Sequence, residues 1–177
     1  MNWPNRLTIC RIVLVPVFIL SVIYCKLHIA FFVFLLAAAT DALDGYFARA
    51  YNQKTKLGAI LDPIADKLLV GSAFICFSLV DTLPGHIKIP VYVPIIVISR
   101  DVLILIGAAT IYLLAGEIKV HPTAVGKITT FFQMTTVIAL LLGFVHSNWL
   151  WNTTVILTIL SGLDYIRVGS KQVNDKL

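Results

Sequence analysis

Charged residues are scarce in this chain. They make up 13% of its 177 residues, against about 25% in a typical soluble domain, while hydrophobic residues make up 59%. The mean hydropathy is +0.92. A soluble domain of this size needs polar residues to cover its surface. The composition therefore excludes a water-soluble enzyme, a nucleic-acid-binding domain and a disordered protein, and it predicts an integral membrane protein.

Cysteine is also scarce, with three residues in all. Cys10, Cys25 and Cys76 are odd in number, share no motif spacing and lie in apolar runs. We expect them to be buried and unreactive, with neither a disulfide nor a metal site. Internal repeats, low-complexity tracts and linkers are missing as well, which predicts one domain over residues 1–177.

Apolar stretches dominate what is present, and breaker residues separate them. Each stretch is long enough for one membrane-spanning helix of about 20 residues. The predicted fold is therefore all-α, a polytopic membrane bundle of six transmembrane helices. The stretches are roughly Leu7–Cys25, Ile29–Ala50, Leu57–Val80, Val91–Ala115, Thr123–Val145 and Trp149–Val168.

Basic residues of the connections favour one side of the membrane. Both termini and the connections on their side carry eight Lys or Arg residues, whereas Lys26 and Lys88 lie on the other side. The positive-inside rule places both termini in the cytoplasm. The net charge of +5 favours contact with anionic membrane lipids. No Arg- and Ser-rich transit segment precedes the first span, so we expect a bacterial plasma membrane. The eight basic residues on the side of the termini are Arg6, Arg49, Lys54, Lys56, Lys119, Arg167, Lys171 and Lys176.

Four aspartates lie within the second and third apolar stretches. Asp41 and Asp44 share one helical face, and Asp62 and Asp66 share another. A short turn near Gln53 makes the two helices an antiparallel hairpin. Asp41 is then level with Asp66, and Asp44 with Asp62. The hairpin predicts a small cavity lined by four carboxylates and open to the cytoplasm.

Such a cluster of carboxylates needs cations to remain ionised in a low dielectric. Carboxylate oxygens select Mg²⁺, Mn²⁺ or Ca²⁺ over zinc or copper. Four of them are enough for two cations that share ligands, an arrangement used in phosphoryl transfer. Intramembrane carboxylates also occur in cation transporters and proton relays, so a carboxylate-lined cation transporter remains the alternative from another class.

Residues 41–66 read D-A-L-D-G-Y-F-A-R-x8-G-A-I-L-D-P-I-A-D. The run resembles the signature of the CDP-alcohol phosphotransferase (CDP-alcohol phosphatidyltransferase) family, D-x2-D-G-x2-A-R-x8-G-x3-D-x3-D, at every fixed position. The layout of six spans also fits, so the resemblance covers nearly the whole chain. It implies the transfer of a group from a CDP-linked lipid to an alcohol, with release of CMP, by a homodimer.

The resemblance also implies roles for individual residues. Asp41, Asp44 and Asp62 would hold two Mg²⁺ or Mn²⁺ ions, with Asp66 beside them. Asp66 would also be the catalytic base that takes the proton of the acceptor hydroxyl. The residues assigned to the CDP moiety are Gly45, Ala48, Arg49, Gly58 and Thr8.

Three further segments bear on the acceptor. Asn5-Arg6-Leu7-Thr8-x2-Arg11, the run from Asp62 to Lys67, and Gly126-Lys127…Gln133 resemble the branch of the family that uses CDP-diacylglycerol and sn-glycerol 3-phosphate and yields phosphatidylglycerophosphate. We expect Arg100 and Lys127 to bind the acceptor phosphate. Thr129 and the triplet Ser99-Arg100-Asp101 depart from that branch. The triplet resembles the cardiolipin synthases, which use CDP-diacylglycerol and phosphatidylglycerol, and these remain the rival.

The roles of three other charged residues in the apolar stretches are predicted less specifically. We interpret Asp101 as a structural partner of Arg100. Lys67 points away from the face of Asp66, which favours snorkelling to the interface or a structural role. Arg11 lies one turn from Thr8 and could reach headgroup phosphates.

Overall fold

The apolar stretches all form helices. The computed structural model describes the backbone of residues 3–50, 56–115, 123–144 and 146–174, and the side chains of 8–41, 64–107, 123–144 and 146–168. Within these residues it contains six helices and no strand, so the all-helical prediction is confirmed. The helices are α1 (Trp3–Ile23), α2 (Leu27–Ala50), α3 (Lys56–Leu79), α4 (Tyr92–Ala115), α5 (Ala124–Leu141) and α6 (Ser147–Asn174).

Two helices end earlier than the apolar pattern predicts. Helix α1 stops at Ile23, and Cys25 then adopts a left-handed conformation with φ 55°. Helix α5 stops at Leu141 because Gly143 has φ +68°, a conformation that glycine adopts readily and that ends many helices. A run of apolar residues continues past both points, so hydrophobicity alone could not locate these ends.

Helix α3 lies at the centre of the bundle and contacts α1, α2, α4 and α5. Helix α1 packs mainly on α2 and α3, while α6 packs on α4 and α5. Contacts between loops show which ends lie together. The Cys25 Sγ lies 3.3 Å from the carbonyl oxygen of Thr82, and the Ser147 hydroxyl donates to the carbonyl oxygen of His86 at 3.2 Å. The α1–α2, α3–α4 and α5–α6 loops therefore meet at one end of the bundle.

The outer surface of the bundle is apolar, and its mainly apolar interior also holds polar and charged side chains. Each helix exposes at least one large apolar side chain by 60% or more of its surface. Buried positions include charged and hydroxyl side chains, among them Arg100, Asp101 and Thr154. The exposed examples are Val13, Phe32, Leu79, Ile106, Phe131 and Leu163.

One helix in the described part of the chain, α5, is both long and apolar enough to cross a membrane. Shorter apolar segments cover residues 8–23 of α1 and 27–41 of α2. All three cysteines are free, as predicted. Their predicted burial is correct for Cys76 and wrong for Cys10 and Cys25, which are exposed. An apolar run does not imply burial here, because the outer faces of the helices are apolar too.

Candidate active site

The first pair of charges joins α1 to α2. Arg11 is fully buried, and its Nη1 lies 2.9 Å from Oδ1 of Asp41, whose side chain is 42% exposed. The expectation that Arg11 reaches headgroup phosphates is therefore wrong, because the guanidinium is enclosed by the bundle and paired with a carboxylate. The Asp41 side chain is thus partly exposed at the protein surface, whereas that of Arg11 is not.

Asp66 lies on α3, in the helix that faces α1 and α2. It is partly buried and lies within electrostatic range of Asp41, Arg11, Lys67 and Asp101. The charges of a carboxylate of α2 and of cations of α1 and α3 therefore act on the carboxyl of Asp66. Lys67, the next residue of α3, belongs to the basic group described below.

Several residues of the predicted site lie outside the described side chains. Their backbones belong to α2 and α3, within the helical hairpin predicted for them. Among the side chains that the structure describes, no three His, Cys, Asp or Glu residues are grouped to hold a metal ion, but that set holds only two of the four aspartates. Thr8, on α1, is described and fully buried. The residues outside are Asp44, Gly45, Ala48, Arg49, Gly58 and Asp62.

A cavity of about 630 Å³ opens between α3, α4, α5 and α6. Three cationic side chains line it: Lys67 from α3, Arg100 from α4 and Lys127 from α5. Arg100 and Lys127 are the two residues predicted to bind the acceptor phosphate, and the fold brings them to the same cavity. Lys67 joins them there instead of snorkelling to an interface.

A buried carboxylate ties two of these cations together. Oδ1 of Asp101 lies 2.8 Å from Nη1 of Arg100 and 3.1 Å from Nζ of Lys67. The predicted pairing of Asp101 with Arg100 is thus confirmed. The other side of the guanidinium donates to the Ser161 hydroxyl, at 3.2 Å from Nε and 2.6 Å from Nη2. Arg100 and Asp101 are both more than nine-tenths buried.

Helix α5 begins at this cavity. Thr123 is its N-cap residue and accepts a hydrogen bond from the backbone N–H of Gly126 at 3.1 Å. The first turn of a helix carries partial positive charge and free N–H groups, which favour an anion. Thr123, Gly126 and Lys127 of this turn all line the cavity.

Two features of the cavity escaped sequence reasoning. Ser161 is an isolated hydroxyl in an apolar stretch, and nothing in its surroundings in the sequence distinguishes it from a packing residue. Tyr165 also lines the cavity and donates its hydroxyl to the carbonyl oxygen of Ile104 at 3.2 Å. The charge of Lys67 within an apolar helix was a usable signal, because such charges face the interior of a bundle.

Comparison with known proteins identifies the family of the chain. The profile of the CDP-alcohol phosphatidyltransferase family matches residues 1–160. A CDP-diacylglycerol–glycerol-3-phosphate 3-phosphatidyltransferase of Rickettsia bellii is 35% identical over 96% of each chain, and that of Bacillus subtilis is 33% identical over 93% of each. A probable phosphatidylglycerophosphate synthase of Mycobacterium tuberculosis is 33% identical over 93% of this chain and 80% of its own. The chain therefore belongs to the CDP-alcohol phosphatidyltransferase family.

Proposed function

We propose that the protein transfers the phosphatidyl group of CDP-diacylglycerol to a hydroxyl of sn-glycerol 3-phosphate, releasing CMP and forming phosphatidylglycerophosphate. The observation that carries the proposal is that Asp66, on whose carboxyl the charge of Asp41 acts, directly precedes Lys67, one of three cations that line the cavity. A base and an anion-binding cavity side by side suit an acceptor that carries both a hydroxyl and a phosphate.

Charge matching favours this acceptor over a phosphodiester. Lys67, Arg100 and Lys127 bring three positive charges to the cavity, and Asp101 supplies one negative charge behind them. A phosphate monoester carries about 1.5 to 2 negative charges near pH 7, and a diester such as phosphatidylglycerol carries about one. The surplus of two positive charges fits the monoester. The names of the relatives in Rickettsia bellii and Bacillus subtilis support the same acceptor.

The chemistry follows from the positions of these groups. The acceptor hydroxyl attacks the phosphorus of the phosphatidyl group, the bond from that phosphorus to CMP breaks, and the hydroxyl proton passes to Asp66. The cations of the cavity hold the acceptor phosphate, which places the hydroxyl beside the base. Orientation of this kind accounts for much of the rate enhancement in phosphoryl transfer.

We also propose that two Mg²⁺ or Mn²⁺ ions are bound by Asp41, Asp44, Asp62 and Asp66. The donor set fits, because carboxylates are hard ligands and the two described members, Asp41 and Asp66, lie on α2 and α3, which contact each other. Bound divalent ions would neutralise the diphosphate and improve CMP as a leaving group. Removal of divalent ions with EDTA should abolish CMP release, and added Mg²⁺ or Mn²⁺ should restore it.

The proposed setting is a bacterial plasma membrane. The apolar outer surface and the buried charges support insertion as a multi-pass bundle, and the basic residues of the connections support termini and an active site that face the cytoplasm. Cys25, exposed at the end where three loops meet, would then face the opposite side. A membrane-impermeant maleimide should label it in intact cells, in a Cys10→Ala background. The further proposed partners are anionic lipids and a second copy of the chain.

The deciding experiment supplies the purified full chain with CDP-diacylglycerol, Mg²⁺ and sn-glycerol 3-phosphate and measures CMP release. We expect CMP and a lipid product that carries the glycerol phosphate. A competition between glycerol 3-phosphate and phosphatidylglycerol tests the rival, which the triplet Ser99-Arg100-Asp101 favours. Cardiolipin as the main product would overturn the proposed acceptor. Cation flux in vesicles without CMP release would support the transporter instead.

A further inference from the structure

We propose that Asp101 and Ser161 are positioning residues that hold the guanidinium of Arg100 and the ammonium of Lys67 ready for the phosphate of the acceptor. This inference rests on the proposed function of the cavity. It adds two residues that do not need to touch the substrate and that decide how well the cavity recognises a phosphate monoester.

The hydrogen bonds of Arg100 show how its orientation is set. A guanidinium has five N–H donors, and three hydrogen bonds are formed here, two to Ser161 Oγ and one to Asp101 Oδ1. One N–H remains on each terminal nitrogen, and the side chain lines the cavity. Contacts on both sides of a planar group prevent it from turning. The guanidinium therefore keeps a constant orientation, and two donors without a partner among the described residues are left for an anion in the cavity.

Asp101 performs a second task by joining Arg100 to Lys67. Both cations approach the same oxygen, Oδ1, from α4 and α3. Two positive charges this close repel each other strongly in a buried site unless a negative charge lies between them. The carboxylate therefore allows cations from two helices to converge on one phosphate. Without it, we expect Lys67 to move away from Arg100.

Gly126 provides space for this arrangement. A Cβ atom there would lie 3.2 Å from Nη2 of Arg100, closer than side chains usually pack. On α6, a Cβ on Gly162 would make an ordinary contact, 3.7 Å from Cγ of Arg100. Helices α5 and α6 thus leave a close-fitting recess for the arginine. A recess, a buried acceptor and a buried carboxylate together fix one orientation of Arg100.

The experiment compares two substitutions with matched controls in the full-length enzyme. Ser161→Ala removes the acceptor of Arg100, whereas Thr158→Val removes a buried hydroxyl of α6 that bonds only within its own helix. Asp101→Asn removes the buried charge, whereas Asp81→Asn makes the same change in the α3–α4 loop. For Ser161→Ala and Asp101→Asn we expect the KM for glycerol 3-phosphate to rise roughly tenfold, since each loses charge-assisted hydrogen bonds. The kcat and the KM for CDP-diacylglycerol should change by less than about twofold.

A rescue and a binding measurement separate positioning from general damage. Ser161→Thr keeps the hydroxyl and should retain most of the affinity, while Ser161→Cys keeps the volume with a weak acceptor and should behave as Ser161→Ala does. Calorimetric titration of sn-glycerol 3-phosphate into the purified protein should show the same order of affinities. Unchanged affinity in Ser161→Cys and Asp101→Asn, or equal losses for both substrates, would overturn the inference.

The proposed function can fail separately from this inference. A wild-type protein that binds glycerol 3-phosphate without releasing CMP would contradict the proposed reaction. The titrations would still test Asp101 and Ser161 in that case. If the wild type is active and substitutions of Asp101 and Ser161 leave the affinity for glycerol 3-phosphate unchanged, only the positioning role is contradicted.

Discussion

The two halves of the site are built in different ways. The acidic half belongs to residues 41–66, a single helical hairpin in which every functional residue has a fixed spacing. The basic half takes Lys67, Arg100, Lys127 and Ser161 from four helices, and no spacing relates them. A local motif thus holds the residues proposed for the reaction, while packing between distant helices forms the cavity proposed for the acceptor. Substitutions in the two halves should therefore affect different kinetic constants.

The largest effect is expected for Asp66→Asn, in the acidic half. The variant removes the proposed base, and loss of a general base typically costs about 10²–10⁴-fold in rate. We expect kcat for CMP release to fall by at least about a hundredfold, while binding of CDP-diacylglycerol is retained. Steady-state kinetics and a lipid-binding titration provide the measurements, with Asp81→Asn as the control. Substantial activity in Asp66→Asn would refute its assignment as the base.

A smaller and differently placed effect is expected for Arg100→Ala, in the basic half. The KM for glycerol 3-phosphate should rise by about ten- to a hundredfold, because a phosphate contact is lost and Asp101 is left with one partner. The KM for CDP-diacylglycerol should stay the same. An unaltered KM for the acceptor would show that the cavity binds something else.

The smallest effect concerns packing behind the basic half. A Cβ on Gly107 of α4 would lie 2.7 Å from Cε1 and 2.8 Å from Oη of Tyr165 on α6. Gly107→Ala must displace that ring from its hydrogen bond to Ile104, and overpacking of this kind costs about 1–3 kcal/mol. Thermal unfolding in detergent should show a lower midpoint.

Gly71→Ala is the matched control for that measurement. Its Cβ would lie 3.7 Å from Cγ1 of Ile98, an ordinary contact, so the midpoint should be unchanged or slightly raised. Equal midpoints of thermal unfolding for the two glycine variants would show that the ring of Tyr165 can move aside without a loss of stability.

An ion pair in the α3–α4 loop contrasts with the buried ion pairs of the cavity. Asp81 and Lys88 pair in the α3–α4 loop, where the hydrogen bond and charge of Lys88 lower the pKa of Asp81. The pair contributes stability above the ordinary pKa of an aspartate and loses it as the pH falls through the lowered value. The Asp81 side chain is 92% exposed and that of Lys88 is 36% exposed, so solvent screens the pair strongly. Asp81→Asn is therefore a suitable control for substitution of the buried Asp101.

Much of the fold could be predicted because the signal is local. Apolar runs separated by breakers predicted all six helices, and the short turn near Gln53 predicted a hairpin of α2 and α3. The ends of α1 and α5 could not be predicted, because they depend on backbone conformations at Cys25 and Gly143 within continuing apolar sequence. Burial of Cys10 was also predicted wrongly, since an apolar helix in a membrane-type bundle is apolar on its outer face too.

The sequence alone determined the class of protein, the number of helices and the acidic motif, since hydrophobicity and spacing along one chain are enough to specify these. It also singled out Arg100 and Lys127 as cations for an acceptor. Only the tertiary structure decided that Lys67 joins them, that Asp101 bridges two of the three, and that Ser161 holds Arg100 from the other side. The reason is physical: those contacts connect side chains up to about sixty residues apart, and their geometry depends on how four helices pack.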